Sequence, residues 1–188
     1  AGMARYDEST GRGFAVEAAE AAGGAEGAPI FMHGAAGTGK TTLVNRLAEI
    51  MAREGLGAMV ASAYTGVAAS GLRGRDGAGA TTLLSLLNFG AAADKDSFGV
   101  EDKFESELSV DARTAMRRKF ERYAGPLSMV TALFIDEISF VGPIFLSHLN
   151  QRLKVLMDCP LPFGGLVVIL GGDFFQLPPA MPKTTLFD

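Results

Sequence analysis

The stretch Gly34-Ala35-Ala36-Gly37-Thr38-Gly39-Lys40-Thr41 constrains this chain more than any other. It fits the pattern G-x-x-x-x-G-K-[ST], in which glycines let successive backbone N–H groups turn toward one anion. The pattern has meaning only between a strand and a helix. Ile30-Phe31-Met32 supplies a short apolar run before it. After it, Thr42 to Glu54 carries Leu43, Leu47, Ile50 and Met51 at helical spacing. In that setting Lys40 reaches the β- and γ-phosphates of a nucleotide, and the Thr41 hydroxyl holds Mg²⁺. The alternative is a glycine turn with a chance lysine, and the flanking strand and helix speak against it.

The totals narrow the class. A chain of 188 residues, 48% hydrophobic and 20% charged, can bury one sizeable core. A net charge of −4 and a pI near 5.2 give no global basic signal, although local contacts to a nucleic-acid backbone do not need one. A single Cys159 excludes an internal disulfide and fits a reducing, intracellular setting. No apolar run approaches the roughly 18 residues of a membrane helix, so no membrane partner is expected.

Taken in order, residues 1–28 are rich in Ala, Gly and Glu, and read as an N-terminal helix (Gly13 to Ala22) followed by a flexible segment. Gly55 closes the helix after the glycine loop. Ala58-Met59-Val60-Ala61 is a short buried strand leading into a turn and a small-residue helix, Ala63 to Gly71. Thr81 or Thr82 caps a further helix through Leu87. Ala91 to Ser109 reads as a surface loop or insertion. Ala112, Met116, Phe120 and Tyr123 form an apolar helical stripe, with Arg118 and Arg122 on a solvated face. Pro143 is placed to open a helix whose buried face is Leu146, Leu149, Leu153 and Leu156, with His148, Gln151 and Arg152 on its polar side. Strands alternating with helices predict an α/β fold with a central parallel sheet.

Met129 to Ile135 reads as a central strand and ends in Asp136-Glu137. Open α/β sheets bind ligands at the carboxyl ends of their strands. There the Asp136 carboxylate can hold Mg²⁺, and Glu137 can orient and deprotonate an attacking water. After the next strand, Leu166 to Leu170, comes Gly171-Gly172-Asp173-Phe174-Phe175-Gln176-Leu177-Pro178-Pro179. The Gln176 amide can donate to a γ-phosphate and accept from water. A proline-rich surface turn is the alternative reading of that segment.

Together these residues carry a resemblance. The segments Gly34–Thr42, Tyr64-Thr65-Gly66-Val67-Ala68-Ala69, Thr82-Leu83-Leu84-Ser85, Asp136-Glu137-Ile138-Ser139 and Gly172-Asp173-Phe174-Phe175-Gln176-Leu177-Pro178-Pro179 resemble the PIF family of DNA helicases. That family belongs to the 5′-to-3′ branch of superfamily 1, with RecD-type and Helitron helicases as relatives. The resemblance implies a RecA-like P-loop NTPase domain over residues 29–188, the first of two motor domains, with ATP and Mg²⁺ as cofactors and single-stranded DNA as partner. It implies nucleotide contacts from Gly34, Ala35, Ala36, Gly37, Thr38, Gly39, Lys40, Thr41, Thr42, Asp136 and Gln176. Lys40, Glu137 and Gln176 would be catalytic, and Thr41 and Asp136 would hold the metal. Thr65, Gly66, Thr82 and Ser85 would line the DNA path. The roles open to such an enzyme are replication, repair, recombination and telomere maintenance, in the nucleus or mitochondrion of a eukaryote.

Two departures stand out. The family's adenine-reading Gln before the glycine loop has no counterpart in Ser9-Thr10-Gly11-Arg12-Gly13-Phe14. The sequence stops at Asp188, so the second RecA-like domain is expected outside it and this fragment is expected to be poorly active. A P-loop NTPase of another class, and a non-catalytic nucleotide- or DNA-binding remnant, are the competing readings.

Overall fold

The computed structural model describes residues 15–18, 29–35, 37–73, 79–87 and 110–173. Its strands are β1 (Ala15–Ala18), β2 (Ile30–His33), β3 (Ala58–Ala63), β4 (Thr81–Thr82), β5 (Val130–Asp136) and β6 (Val167–Gly172). Its α-helices are α1 (Lys40–Arg53), α2 (Gly66–Gly71), α3 (Leu83–Leu86), α4 (Val110–Ala124) and α5 (Pro143–Met157). The strands form one sheet in the order β1-β2-β6-β5-β3-β4. All neighbours from β2 to β4 are parallel. The fold is RecA-like, a parallel sheet with helices on both faces.

Alternation along the central strands divides the core in two. Met59, Ala61 and Ala63 of β3, Ala132 and Phe134 of β5 and Ile169 of β6 face α1 and α2, where Val44 and Ala69 are buried with them. Val60, Leu133, Ile135, Val168 and Leu170 face the other way, against Leu83, Leu86, Met116, Phe120, Leu149 and Leu153 of α3, α4 and α5. Buried on both faces, these strands read as continuous apolar runs in the sequence.

The ends of the helices follow local chemistry. Gly55 takes φ +68° just past α1, and the Leu56 N–H reaches back to the Met51 carbonyl. Pro143 stands in the first turn of α5, where its missing N–H costs nothing. Thr82 caps α3 by accepting from the Ser85 N–H.

Two expectations are overturned. The Ala-rich segment expected as a helix is a strand at Ala15–Ala18, paired antiparallel to β2 with Ala15 opposite His33 and Ala18 opposite Ile30. β2 would otherwise present an unpaired ladder on the side away from β6, and pairing that edge outweighs the helix propensity of alanine. Arg152 is buried at 8% exposure, not on a polar face. It lies one turn from Leu149 on α5, and its Nη1 donates to the Leu87 carbonyl at 3.2 Å. It thereby meets a carbonyl at the C-terminal end of α3, which the sequence pattern of α5 alone does not reveal. Arg118 and Arg122 are solvent-facing as expected. The expected loop from Ala91 to Ser109, and Ala36 and Gln176, lie outside the described residues.

Candidate nucleotide and nucleic-acid site

Placing β6 between β2 and β5 brings two distant segments to one end of the sheet. The glycine loop leaves β2, and Asp136 ends β5. Between them β6 must be thin. A Cβ on Gly171 would lie 2.7 Å from Phe134 Cζ and 3.3 Å from the Asp136 Oδ1, and one on Gly172 would lie 3.1 Å from Ile138 Cγ2. The Gly34 N–H donates to the Gly172 carbonyl at 3.3 Å, which fixes the start of the loop against β6.

Within the loop, Gly37 and Gly39 take φ +77° and +93°. Only glycine adopts these angles cheaply. Gly39 is the N-cap of α1 and provides no side-chain hydrogen bond, and the first turn holds no acidic residue. Among the described residues no side-chain cap therefore takes up the first N–H groups of this 14-residue helix, the arrangement that receives an anion. Lys40 Nζ donates to the Gly34 carbonyl at 2.6 Å and to the Ala35 carbonyl at 3.0 Å. The Thr38 hydroxyl also donates to the Ala35 carbonyl, at 2.9 Å. The loop is thus folded onto its own lysine, with the ammonium held where phosphate oxygens would compete for its protons.

Asp136 is tied to the site through both its side chain and its backbone. Its Oδ1 accepts from the Glu137 N–H at 2.9 Å, and its carbonyl accepts from the Tyr64 N–H at 3.2 Å. Burial pushes its carboxyl above the ordinary carboxylate range, against the lowering effects of the Glu137 N–H and of the nearby Lys40 ammonium. A desolvated carboxylate beside a loop built for phosphate is a fitting ligand for a hard divalent cation. Glu137 has φ 59° and ψ 39°, left-handed for a non-glycine residue, as the chain turns from β5 into a 3-10 helix at Ile138–Phe140.

Thr65, Gly66, Thr82 and Ser85 gather at the same end. Register pairs Ala63 with Thr82, so the ends of β3 and β4 are adjacent. The Ser62 hydroxyl ties the two by donating to the Thr81 carbonyl at 2.9 Å. Thr65 caps α2 by accepting from the Ala68 N–H. Its hydroxyl also donates to Glu137 Oε2 at 2.5 Å, a link between residues 72 positions apart that sequence reasoning missed. Tyr64, also missed, stacks on Phe140 at 6.2 Å between centroids and meets Phe145 edge-on at 6.3 Å. A tyrosine between a strand and a threonine was visible in the sequence, but its partners were not.

The fold and the loop define a P-loop domain of the RecA-like kind. The family model for the PIF1-like helicase matches residues 12–186. The chain is 32% identical over 160 residues to the ATP-dependent DNA helicase PIF5 of Trypanosoma brucei brucei, covering 84% of this chain and 15% of that protein. Bacteroides Pif1 bound to single-stranded DNA superposes with a TM-score of 0.54 at 31% identity, covering 81% of this chain and 30% of that one. Bacteroides sp Pif1 in complex with ADP-AlF4 gives 0.51 at 29% identity, over 81% and 30% of the two chains. The chain belongs to the PIF1-like helicase family. It spans about 15% of the length of the Trypanosoma relative.

Proposed function

We propose that this domain binds Mg-ATP and serves as the first motor domain of an ATP-dependent DNA helicase that moves 5′ to 3′ on single-stranded DNA. The convergence of the glycine loop with Asp136 and Glu137 at one end of the sheet carries this reading. The phosphates lie against Gly34–Thr42, with Lys40 on the β- and γ-oxygens. The Thr41 hydroxyl and the Asp136 carboxylate would hold Mg²⁺, which would supply charge neutralisation at the phosphoryl group. Glu137 accepts the proton of the attacking water. Gln176 reports the γ-phosphate. Thr65, Gly66, Thr82 and Ser85 meet the DNA backbone through hydroxyls and N–H groups, contacts that suit a domain with no excess of basic residues.

Relatives named as DNA helicases, and related structures named with ADP-AlF4 and with single-stranded DNA, support the reading. The test is phosphate release by the full protein that carries this domain, with and without a single-stranded oligonucleotide, beside strand displacement on 5′-tailed and 3′-tailed duplexes. DNA-stimulated hydrolysis with displacement of the 5′-tailed duplex is expected. Hydrolysis indifferent to DNA would point to a P-loop NTPase of another class.

A further inference from the structure

We infer that Thr65 is a positioning residue that couples DNA binding to hydrolysis by surrendering its hydrogen bond to Glu137. The inference rests on the reading above, in which Glu137 is the base and Thr65 meets DNA.

A threonine hydroxyl has one proton and two acceptor lone pairs. The acceptor side of Thr65 is used by the Ala68 N–H at 3.3 Å, which is all that capping α2 requires. The proton is spent separately, on Glu137 Oε2 at 2.5 Å. A bond from a hydroxyl to a carboxylate is charge-assisted and strong. It ties down the group that must turn to a water molecule. A DNA phosphate oxygen is an anionic acceptor of the same kind, and a single proton serves one of the two at a time. When the phosphate takes it, the Glu137 carboxylate is released toward the cleft. The water then attacks the γ-phosphorus and its proton passes to Glu137. The bond from the γ-phosphorus to the bridging oxygen breaks, and ADP leaves with that electron pair.

The surroundings make this contact a link between two rigid pieces. The Tyr64 N–H is bonded to the Asp136 carbonyl, and the Tyr64 ring stacks on Phe140, three residues beyond Glu137. The turn that carries Thr65 and the turn that carries Glu137 are thus held together by backbone and ring contacts that do not involve the hydroxyl. Loss of the Thr65–Glu137 bond leaves both turns in place. Gly66 and Val67, next to Thr65, are exposed, and Val67 is 86% so, which leaves this turn open to an approaching strand of DNA.

The test compares Thr65→Val, Thr65→Ser and Glu137→Gln with the parent in the full protein. The readout is kcat and KM for ATP, with and without saturating oligo-dT. Thr65→Val keeps the shape and removes the hydroxyl, and with it both the proton given to Glu137 and the acceptor that caps α2. It is expected to raise the DNA-free kcat by at least about tenfold, the lower end of what one charge-assisted hydrogen bond contributes, with little further stimulation by DNA. KM for ATP should stay within about twofold, since the nucleotide contacts are untouched. Thr65→Ser keeps the proton and should restore dependence on DNA. A residue with only a capping role would leave the DNA-free kcat unchanged or lower it when lost. A DNA-free kcat in Thr65→Val at or below the parent's, or a serine variant that stays uncoupled, overturns the inference. Glu137→Gln distinguishes that failure from a failure of the underlying reading. If it hydrolyses ATP at the parent rate, Glu137 is not the base and both fall. If it is inactive while Thr65→Val shows no gain, only the coupling falls.

Discussion

Single residues of the site carry costs that a ligand relieves. Lys40 spends two of its protons on loop carbonyls, and phosphate must take them over. Lys40→Ala should weaken Mg-ATP binding by roughly 1.5–3 kcal/mol, one charge-assisted contact. Titration with a fluorescent ATP analogue checks this, and equal affinity would take Lys40 out of the site. Asp136 carries a second cost. Its carboxyl sits above its ordinary value of 3.8 chiefly because it is buried. Over the interval between the two values the folded state binds more protons than the unfolded one. Stability therefore falls as pH rises from the ordinary value through the folded one, and the deficit persists at neutral pH. Asp136→Asn keeps an acceptor for the Glu137 N–H and removes the charge. Its ligand-free Tm should exceed the parent's at pH 7, with the gap closing as pH falls toward 4. Added Mg-ATP should reverse the order if the Asp136 carboxylate holds the metal as proposed, because Asn at this position offers no charge to it. A ligand-free melt in which the variant is less stable at neutral pH would contradict the burial argument.

At the scale of elements, the approach to β6 is the most demanding piece of backbone among the described residues. Phe163, Gly164 and Gly165 take φ of +51°, +68° and +77° in succession. The Phe163 N–H is held by the Asn150 side chain at 2.7 Å, and its ring is buried in the core. A Cβ on Gly164 would stand 2.5 Å from the Leu153 carbonyl oxygen of α5. Gly55, past the end of α1, has the same φ of +68° with nothing within 4 Å of such a Cβ. The pair separates conformational strain from a clash. Gly55→Ala should cost about 1–2 kcal/mol, the left-handed penalty alone. Gly164→Ala should cost more than about 3 kcal/mol, since the Pro162–Gly165 turn and α5 must part to admit the methyl group. Urea midpoints measured at unchanged m-value give both numbers. Equal costs would mean that the loop yields without disturbing α5.

For the molecule as a whole, the balance of charge and the set of site residues held within residues 1–188 set what this stretch should do alone. The chain holds the glycine loop and both carboxylates but is net −4. A second RecA-like domain would supply an arginine to the transferring phosphoryl group, a contribution of about 10³–10⁵ in rate. The polypeptide on its own should bind Mg-ATP, hydrolyse it close to background, and bind single-stranded DNA weakly, with affinity falling as salt rises. Phosphate release with and without an oligonucleotide, beside Lys40→Ala, is the check. Robust DNA-stimulated turnover abolished by Lys40→Ala would show that the arginine comes from within the chain or from a second copy.

The sequence by itself determined the local and the periodic. The phosphate loop was legible because glycines at Gly37 and Gly39, followed by a lysine, answer a local demand for positive φ and exposed N–H groups. The buried strands were legible because a strand covered on both faces must be apolar throughout. The strand end at Asp136-Glu137 was legible because charge interrupts that run. Tertiary structure alone decided the rest. Ala15–Ala18 became a strand because an edge of β2 needed pairing, a demand made by residues outside the segment. Arg152 went inward because a carbonyl at Leu87 lay across from it. The Thr65–Glu137 bond, between residues 72 apart in the chain, exists because parallel pairing of β3 with β5 brings the two strand ends side by side. A hydrogen bond takes its partner from what the fold places within reach, and no periodicity along the chain encodes that distance.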